Sequence, residues 1–192
     1  MDHTKLPRQG IEVNKKYSIL LSDPAWQYSS SECLHPSSRL DGKKDIPYPT
    51  MKLKDVKALK VQDLCEDDCL LFLWVTSPML LEGLEVMEAW GFKYATIAFV
   101  WHKQMHNPGH YTMSECEICL VGKKGRIPSP RGSRKVRQFI SEMRTKHSKK
   151  PEAVRDRIHE MFPTQAKLEM FARTKHEHFD SWGNEVESDI VL

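Results

Sequence analysis

Two periodicities alternate along this chain. KYSILLS (16–22) is a short apolar run that stops at Asp23-Pro24, the pattern of a buried strand ending in a turn. KLKDVKALKVQDL (52–64) has helical spacing, and CLLFLWVT (69–76) is almost continuously apolar, as a strand covered on both faces would be. PMLLEGLEVMEAWGF (78–92) is amphipathic at helical period and closes on Gly91, a common helix stop. YATIAFVWHK (94–103) and ECEICLVGK (115–123) read as strands separated by a loop over 104–114. VRQFISEM (136–143) fits either a strand or a short helix. KPEAVRDRIHEMF (150–162) predicts a helix with Pro151 near its first turn, and AKLEMFAR (166–173) a further strand. Strands alternating with helices predict an α/β fold. Its central sheet would be mostly parallel, with helices on both faces and ligands at the carboxyl ends of the strands.

Composition narrows the class. The chain has 192 residues, enough for one domain over 1–192 with residues 1–14 as a polar tail. No run reaches the length of a membrane span, and MDHTKLPRQG lacks the apolar stretch of a secretion signal. The expectation is a soluble cytoplasmic protein with no membrane partner. Residues 27–50 are rich in Ser, Pro, Gly and Lys and read as a long loop, a type that is usually functional or mobile. The net charge of +3 is too mild to identify a polyanionic partner. Its distribution says more: residues 123–150 carry many Lys and Arg and a single acid, Glu142. Arg131, Arg134 and Lys135 in that stretch are candidates for phosphate contacts, and a solvated loop is the alternative.

Five cysteines without a secretion signal argue against a disulfide framework. Cys65, Cys69, Cys116 and Cys119 have spacings compatible with a thiolate zinc site. Cys116 and Cys119 fall in a strand pattern, however, where residues three apart point to opposite faces. Buried thiols are the reading adopted, and no metal is assigned.

The chemistry concentrates at Asp23-Pro24-Ala25-Trp26, directly after the first strand. The exocyclic amine of adenine is a poor nucleophile because its lone pair is delocalised into the ring. Two acceptors on its two N–H bonds would aim that lone pair at an electrophilic methyl group. The Asp23 carboxylate supplies one acceptor, and the carbonyl of Pro24, held by its rigid ring, supplies the other. Trp26 offers a flat face on which a base can stack. Taken alone the motif is weak: Asp-Pro is a common turn, and the tryptophan fits a core position equally well.

Eight segments in one order strengthen it: DPAW, YPTM (48–51), LFLWVT (71–76), EAWGF (88–92), ECEICLVGKKG (115–125), HSKKPE (147–152), LEMFAR (168–173) and WGNE (182–185). With them the chain resembles the N6-adenine methyltransferase family that includes the messenger-RNA adenosine methyltransferases, and within it the short prokaryotic and phage branch. The resemblance implies a Rossmann-like fold that binds S-adenosylmethionine and transfers its methyl group to adenine N6 in nucleic acid, with DNA preferred over RNA. It places Asp23, Pro24 and Trp26 on the catalytic motif, usually D-P-P-W, from which Ala25 departs. It places Asp23, Lys150, Glu169, Phe171, Arg173, Asn184 and Glu185 around the cofactor. Tyr48 would line the base pocket, and Glu117 would lie near the target nucleotide. It also leaves open a homodimer or a partner subunit. The competing reading is a catalytically silent nucleic-acid-binding subunit, against which the intact Asp23, Pro24 and Trp26 argue. A nicotinamide enzyme is disfavoured because no G-x-G-x-x-G follows the first strand.

Overall fold

β1 (Tyr17–Ser22) is buried along almost its whole length because it has a parallel neighbour on each side. In the computed structural model, which describes residues 15–27, 50–107, 111–145 and 149–192, those neighbours are β2 (Cys65–Val75) and β6 (Lys167–Met170). Four further strands complete the sheet: β3 (Lys93–Asn107), β4 (Ser114–Lys124), β5 (Phe139–Ser141) and β7 (Asp180–Trp182). The order across the seven strands is β5-β3-β4-β2-β1-β6-β7. Only β4 runs against its neighbours β2 and β3; the other pairs are parallel.

Alternation along the strands feeds two cores. Leu20, Leu71 and Leu73 face α1 (Leu53–Lys57) and α2 (Leu80–Ala89), which contribute Val56, Val86 and Met87. Ile19, Leu21, Phe72, Trp74, Phe99 and Trp101 face α3 (Glu152–Met161), which contributes Val154 and Ile158. The sheet therefore carries helices on both faces, as the pattern predicts. The chain leaves β1 for β2 on one side, while β6 enters on the other. Strand order reverses at β1, and in open α/β sheets such a reversal opens a crevice at the carboxyl ends of the strands.

Several boundaries differ from the sequence reading. The helix expected over 52–64 stops after α1 and resumes as a short 3-10 turn, Val61–Leu64. Val56 and Val61 are five residues apart, off a common helical stripe, so breaking the helix lets both bury. β3 continues to Asn107, into the stretch read as a loop. Within residues 136–143 only Phe139–Ser141 forms a strand, the edge strand β5. The last long strand ends at Met170 rather than Arg173, because Phe171 turns into the left-handed region at φ 61°. Cys119 is buried and Cys116 half-buried on β4, in the strand setting expected of them. Among the described residues, no helix is long and apolar enough to cross a membrane. The proposed tail (1–14), most of the 27–50 loop and Tyr48 lie outside the described residues.

Candidate active site at the carboxyl ends of β1 and β6

Asp23 follows β1 by one residue, and register carries its side chain to the α3 face. Its Oδ2 accepts a 2.7 Å hydrogen bond from Lys150 Nζ, just before α3. Lys150 also lies 3.4 Å from Glu117 Oε2 on β4, and its ammonium sits 5.6 Å from the centre of the Trp74 ring. Burial pushes the Asp23 carboxyl above its usual range; Glu117 adds to the rise, and the pull of Lys150 does not cancel it. Burial works against the Lys150 charge, but Asp23 and Glu117 outweigh it and hold its pKa above the ordinary lysine value.

The turn around Asp23 is tied down by backbone bonds. The Trp26 N–H donates to the Pro24 carbonyl at 2.8 Å, and the Met51 N–H donates to the Ala25 carbonyl at 2.8 Å. The Pro24 carbonyl therefore has one lone pair engaged and one remaining. Trp26 departs from expectation. It is only 5 % exposed, it clusters with the core on the α1/α2 face, and its Nε1 has no hydrogen-bond partner among the described residues. The ring is packed into that core, so its face is not presented as a stacking platform in this conformation.

Two cavities meet at Asp23. The larger, about 590 Å³, is lined by Asp23, Lys149, Lys150, Arg155, Glu169 and Phe171 among others. The smaller includes Ala25, Met51, Gly183 and Asn184. Asp23, Phe171, Arg173 and Glu185 line both. The strained backbone of Phe171 swings the chain out of β6, and its ring meets Trp182 edge-on at 5.2 Å. Beyond β7, a Cβ on Gly183 would collide with the backbone of Ala172, so glycine is what lets the 182–185 arm close on the site. The Ala172 N–H donates to the Trp182 carbonyl at 2.9 Å, and Arg173 Nε lies 3.5 Å from Glu185 Oε1.

Glu169 is held more tightly than its motif position implies. Arg155 grips it through both oxygens, Nε to Oε2 at 2.7 Å and Nη2 to Oε1 at 2.5 Å, with both side chains buried. The pair forms a charged wall of the larger cavity. Sequence reasoning does not single out Arg155; the only available signal is a charged residue on the apolar stripe between Val154 and Ile158. Lys103 is equally silent in the sequence: it is 4 % exposed, and its Nζ lies 3.5 Å from Glu117 Oε1.

Arg131, Arg134 and Lys135 are not gathered here. The Arg131 guanidinium packs 5.5 Å from the Phe162 ring, past the C-terminal end of α3. The Gly132 and Ser133 N–H groups cap the Met161 and Glu160 carbonyls there. Lys150 and the larger cavity sit at the other end of that helix, roughly 15 Å away at 1.5 Å per residue. Capping α3 fixes this part of the basic stretch at the opposite end of that helix from Lys150. Among the described residues of the basic stretch, Lys149 and Lys150 line the larger cavity, and Arg144, whose N–H donates to the Lys103 carbonyl, precedes Thr145, which lines it too.

The MT-A70 family profile matches residues 17–185. The chain is 45 % identical over 188 residues to the type II methyltransferase M.MunI of Mycoplasma sp, covering 92 % of this chain and 81 % of that protein. It is 29 % identical over 178 residues to the N(6)-adenosine-methyltransferase MT-A70-like protein of Arabidopsis thaliana, covering 88 % of this chain and 23 % of the relative. It is 26 % identical over 193 residues to the human N(6)-adenosine-methyltransferase catalytic subunit METTL3, covering 95 % and 30 %. The chain thus spans most of the first relative and less than a third of the other two.

Proposed function

The chain belongs to the MT-A70 family, and from that premise we propose that it transfers a methyl group from S-adenosylmethionine to the N6 amine of adenine in DNA, on a Rossmann-like scaffold. The observation that carries this reading is the place of Asp23: at the carboxyl end of β1, where the strand order reverses, with two cavities meeting at its carboxylate.

The larger cavity suits the methyl donor. About 590 Å³ is within the usual range for a small-molecule site. The start of α3, with Lys149 and Lys150, offers positive potential for the carboxylate of an amino-acid moiety. Asn184 presents an amide that can both donate to and accept from a purine edge, and Glu185 can accept from hydroxyls. When bound, S-adenosylmethionine supplies an electrophilic methyl group, and the Asp23 carboxylate is the nearby counter-charge. Asp23 Oδ2 is committed to Lys150, which leaves Oδ1 to accept one N–H of the target amine. The second lone pair of the Pro24 carbonyl, left over by the Trp26 N–H, would accept the other. Both acceptors are fixed before the base arrives, so orientation of the amine requires little rearrangement. Ala25 keeps both acceptors, and its carbonyl bond to Met51 restrains the turn that a second proline would otherwise stiffen.

The preference for DNA follows the 45 % identical type II methyltransferase, which this chain matches over most of its length, rather than the adenosine methyltransferases at 26 % and 29 % identity. A duplex target would have to leave the stack to reach Asp23, at a cost of a few kcal/mol. The test is transfer of labelled methyl from S-adenosylmethionine to matched single- and double-stranded DNA and RNA, followed by nucleoside analysis. N6-methyldeoxyadenosine as the main product supports the proposal. Label only in RNA would reverse the polymer preference, and label in neither polymer would overturn the proposal.

A further inference from the structure

Lys103 is a charged residue where a sheet core ordinarily places an apolar one. It follows Trp101 by two residues on β3, so the two share a face, and Trp101 lies directly opposite Glu117 on β4. That register sets Lys103 diagonal to Glu117. Its side chain is 5 % exposed, and the Glu117 carboxylate lies within ion-pair distance, at 3.5 Å. Replacing a buried ion pair by apolar residues of similar volume is often neutral or stabilising, so folding alone gives little reason for a lysine here.

The distances suggest what the charge does. Glu117 is shared between two ammonium groups, one per oxygen: Lys103 at 3.5 Å on Oε1 and Lys150 at 3.4 Å on Oε2. Lys150 keeps its short contact, 2.7 Å, for Asp23. Two cations and two carboxylates thus alternate from β3 to the turn after β1. Without Lys103, Glu117 would turn its full charge on Lys150 and draw it away from Asp23. We propose that Lys103 is a positioning residue for methyl transfer, occupying one side of Glu117 so that Lys150 stays committed to Asp23. This rests on the methyltransferase reading above.

The test compares Lys103→Met, which keeps the stem and removes the charge, with Lys103→Arg, Glu117→Gln and the Lys103→Met/Glu117→Gln double variant, in the full chain. Lys103→Met should lower kcat roughly tenfold through misplacement of Asp23, with donor affinity within about twofold of wild type, since Lys103 does not line either cavity. Lys103→Arg should recover most of kcat. In the Glu117→Gln background the Lys103→Met change should have no further effect, because the residue acts through Glu117. In the donor-free protein, the Lys150 ammonium protons, slowed in exchange by the bond to Asp23, should exchange faster in Lys103→Met by nuclear magnetic resonance. Wild-type kcat in Lys103→Met, an Arg variant as slow as Met, or an undiminished effect beside Glu117→Gln would each overturn the proposal. If Lys103→Met does not fold, Lys103→Gln, which also removes the charge, is read in its place, and Lys150 exchange at the wild-type rate in that variant overturns the proposal. A wild-type protein that transfers no methyl group would fail the methyltransferase reading; an active wild type matched by Lys103→Met would fail this one alone.

Discussion

Lys150 Nζ lies 2.7 Å from Asp23 Oδ2, a contact that ties the turn after β1 to the start of α3 across 127 residues of sequence. The bond settles how the Asp23 carboxylate is oriented. One oxygen is spent on a buried cation, and the residue lines both cavities. A charge-assisted bond of this length is about twice as strong as a neutral one, and here both partners are largely shielded from water. The site is therefore set by the fold and does not wait for a ligand to orient it.

The acid limb of the pH–rate profile should report Asp23. Its carboxyl is raised above the ordinary aspartate value of 3.8 because burial outweighs the pull of Lys150. On the proposed mechanism activity requires the ionised form, so it should be full above the raised pKa and lost as pH falls through it. Lys150 is raised above 10.5, so its charge persists through neutral and mildly alkaline pH and adds no limb there. Measuring kcat across the acid range checks this; a rate that holds down to the ordinary aspartate range would refute it.

The Arg155–Glu169 pair should be costly to break and cheap to replace whole. Arg155→Met strands a buried carboxylate whose pKa burial already pushes up, and should cost about 3–5 kcal/mol of stability. Arg155→Met combined with Glu169→Leu should recover most of that loss, read by chemical denaturation. Equal losses in the single and double variants would show that the pair is not the source of the effect.

The fold class is legible in the sequence because buried parallel strands announce themselves as apolar runs, as from Ile19 to Leu21 in β1 and from Leu70 to Val75 in β2. Asp23, Lys150, Phe171, Arg173, Asn184 and Glu185 come together around the two cavities. Three-dimensional pairing is what the sequence hides. Nothing local marks Lys103 or Arg155 as partners of acids on other strands. Trp26 reads as a stacking face because an exposed and a buried indole have the same sequence; packing on the α1/α2 face of the sheet decides between them. Arg131 reads as a phosphate contact because charge runs do not say which end of a helix they reach.

The placement of the basic residues makes a prediction of its own. Neutralising Arg144 and Lys149 should lower the salt slope of DNA binding by roughly two, about one for each phosphate no longer neutralised. Neutralising Arg131, Arg134 and Lys135 should leave the slope nearly unchanged, since their segment caps the far end of α3. Fluorescence titrations at several salt concentrations separate the two sets. A slope that responds to the second set and not the first would move the proposed DNA path to the far end of α3.

Everything proposed for the site turns on the Asp23 carboxylate orienting the adenine amine for methyl transfer. Asp23→Asn keeps the shape of the side chain and removes its charge, so the decisive experiment measures methyl transfer in this variant beside donor affinity by calorimetry. kcat should fall by roughly two to three orders of magnitude, as for loss of a preorganised electrostatic group, with donor affinity reduced by less than about tenfold. Turnover at the wild-type rate would show that the carboxylate does not orient the amine.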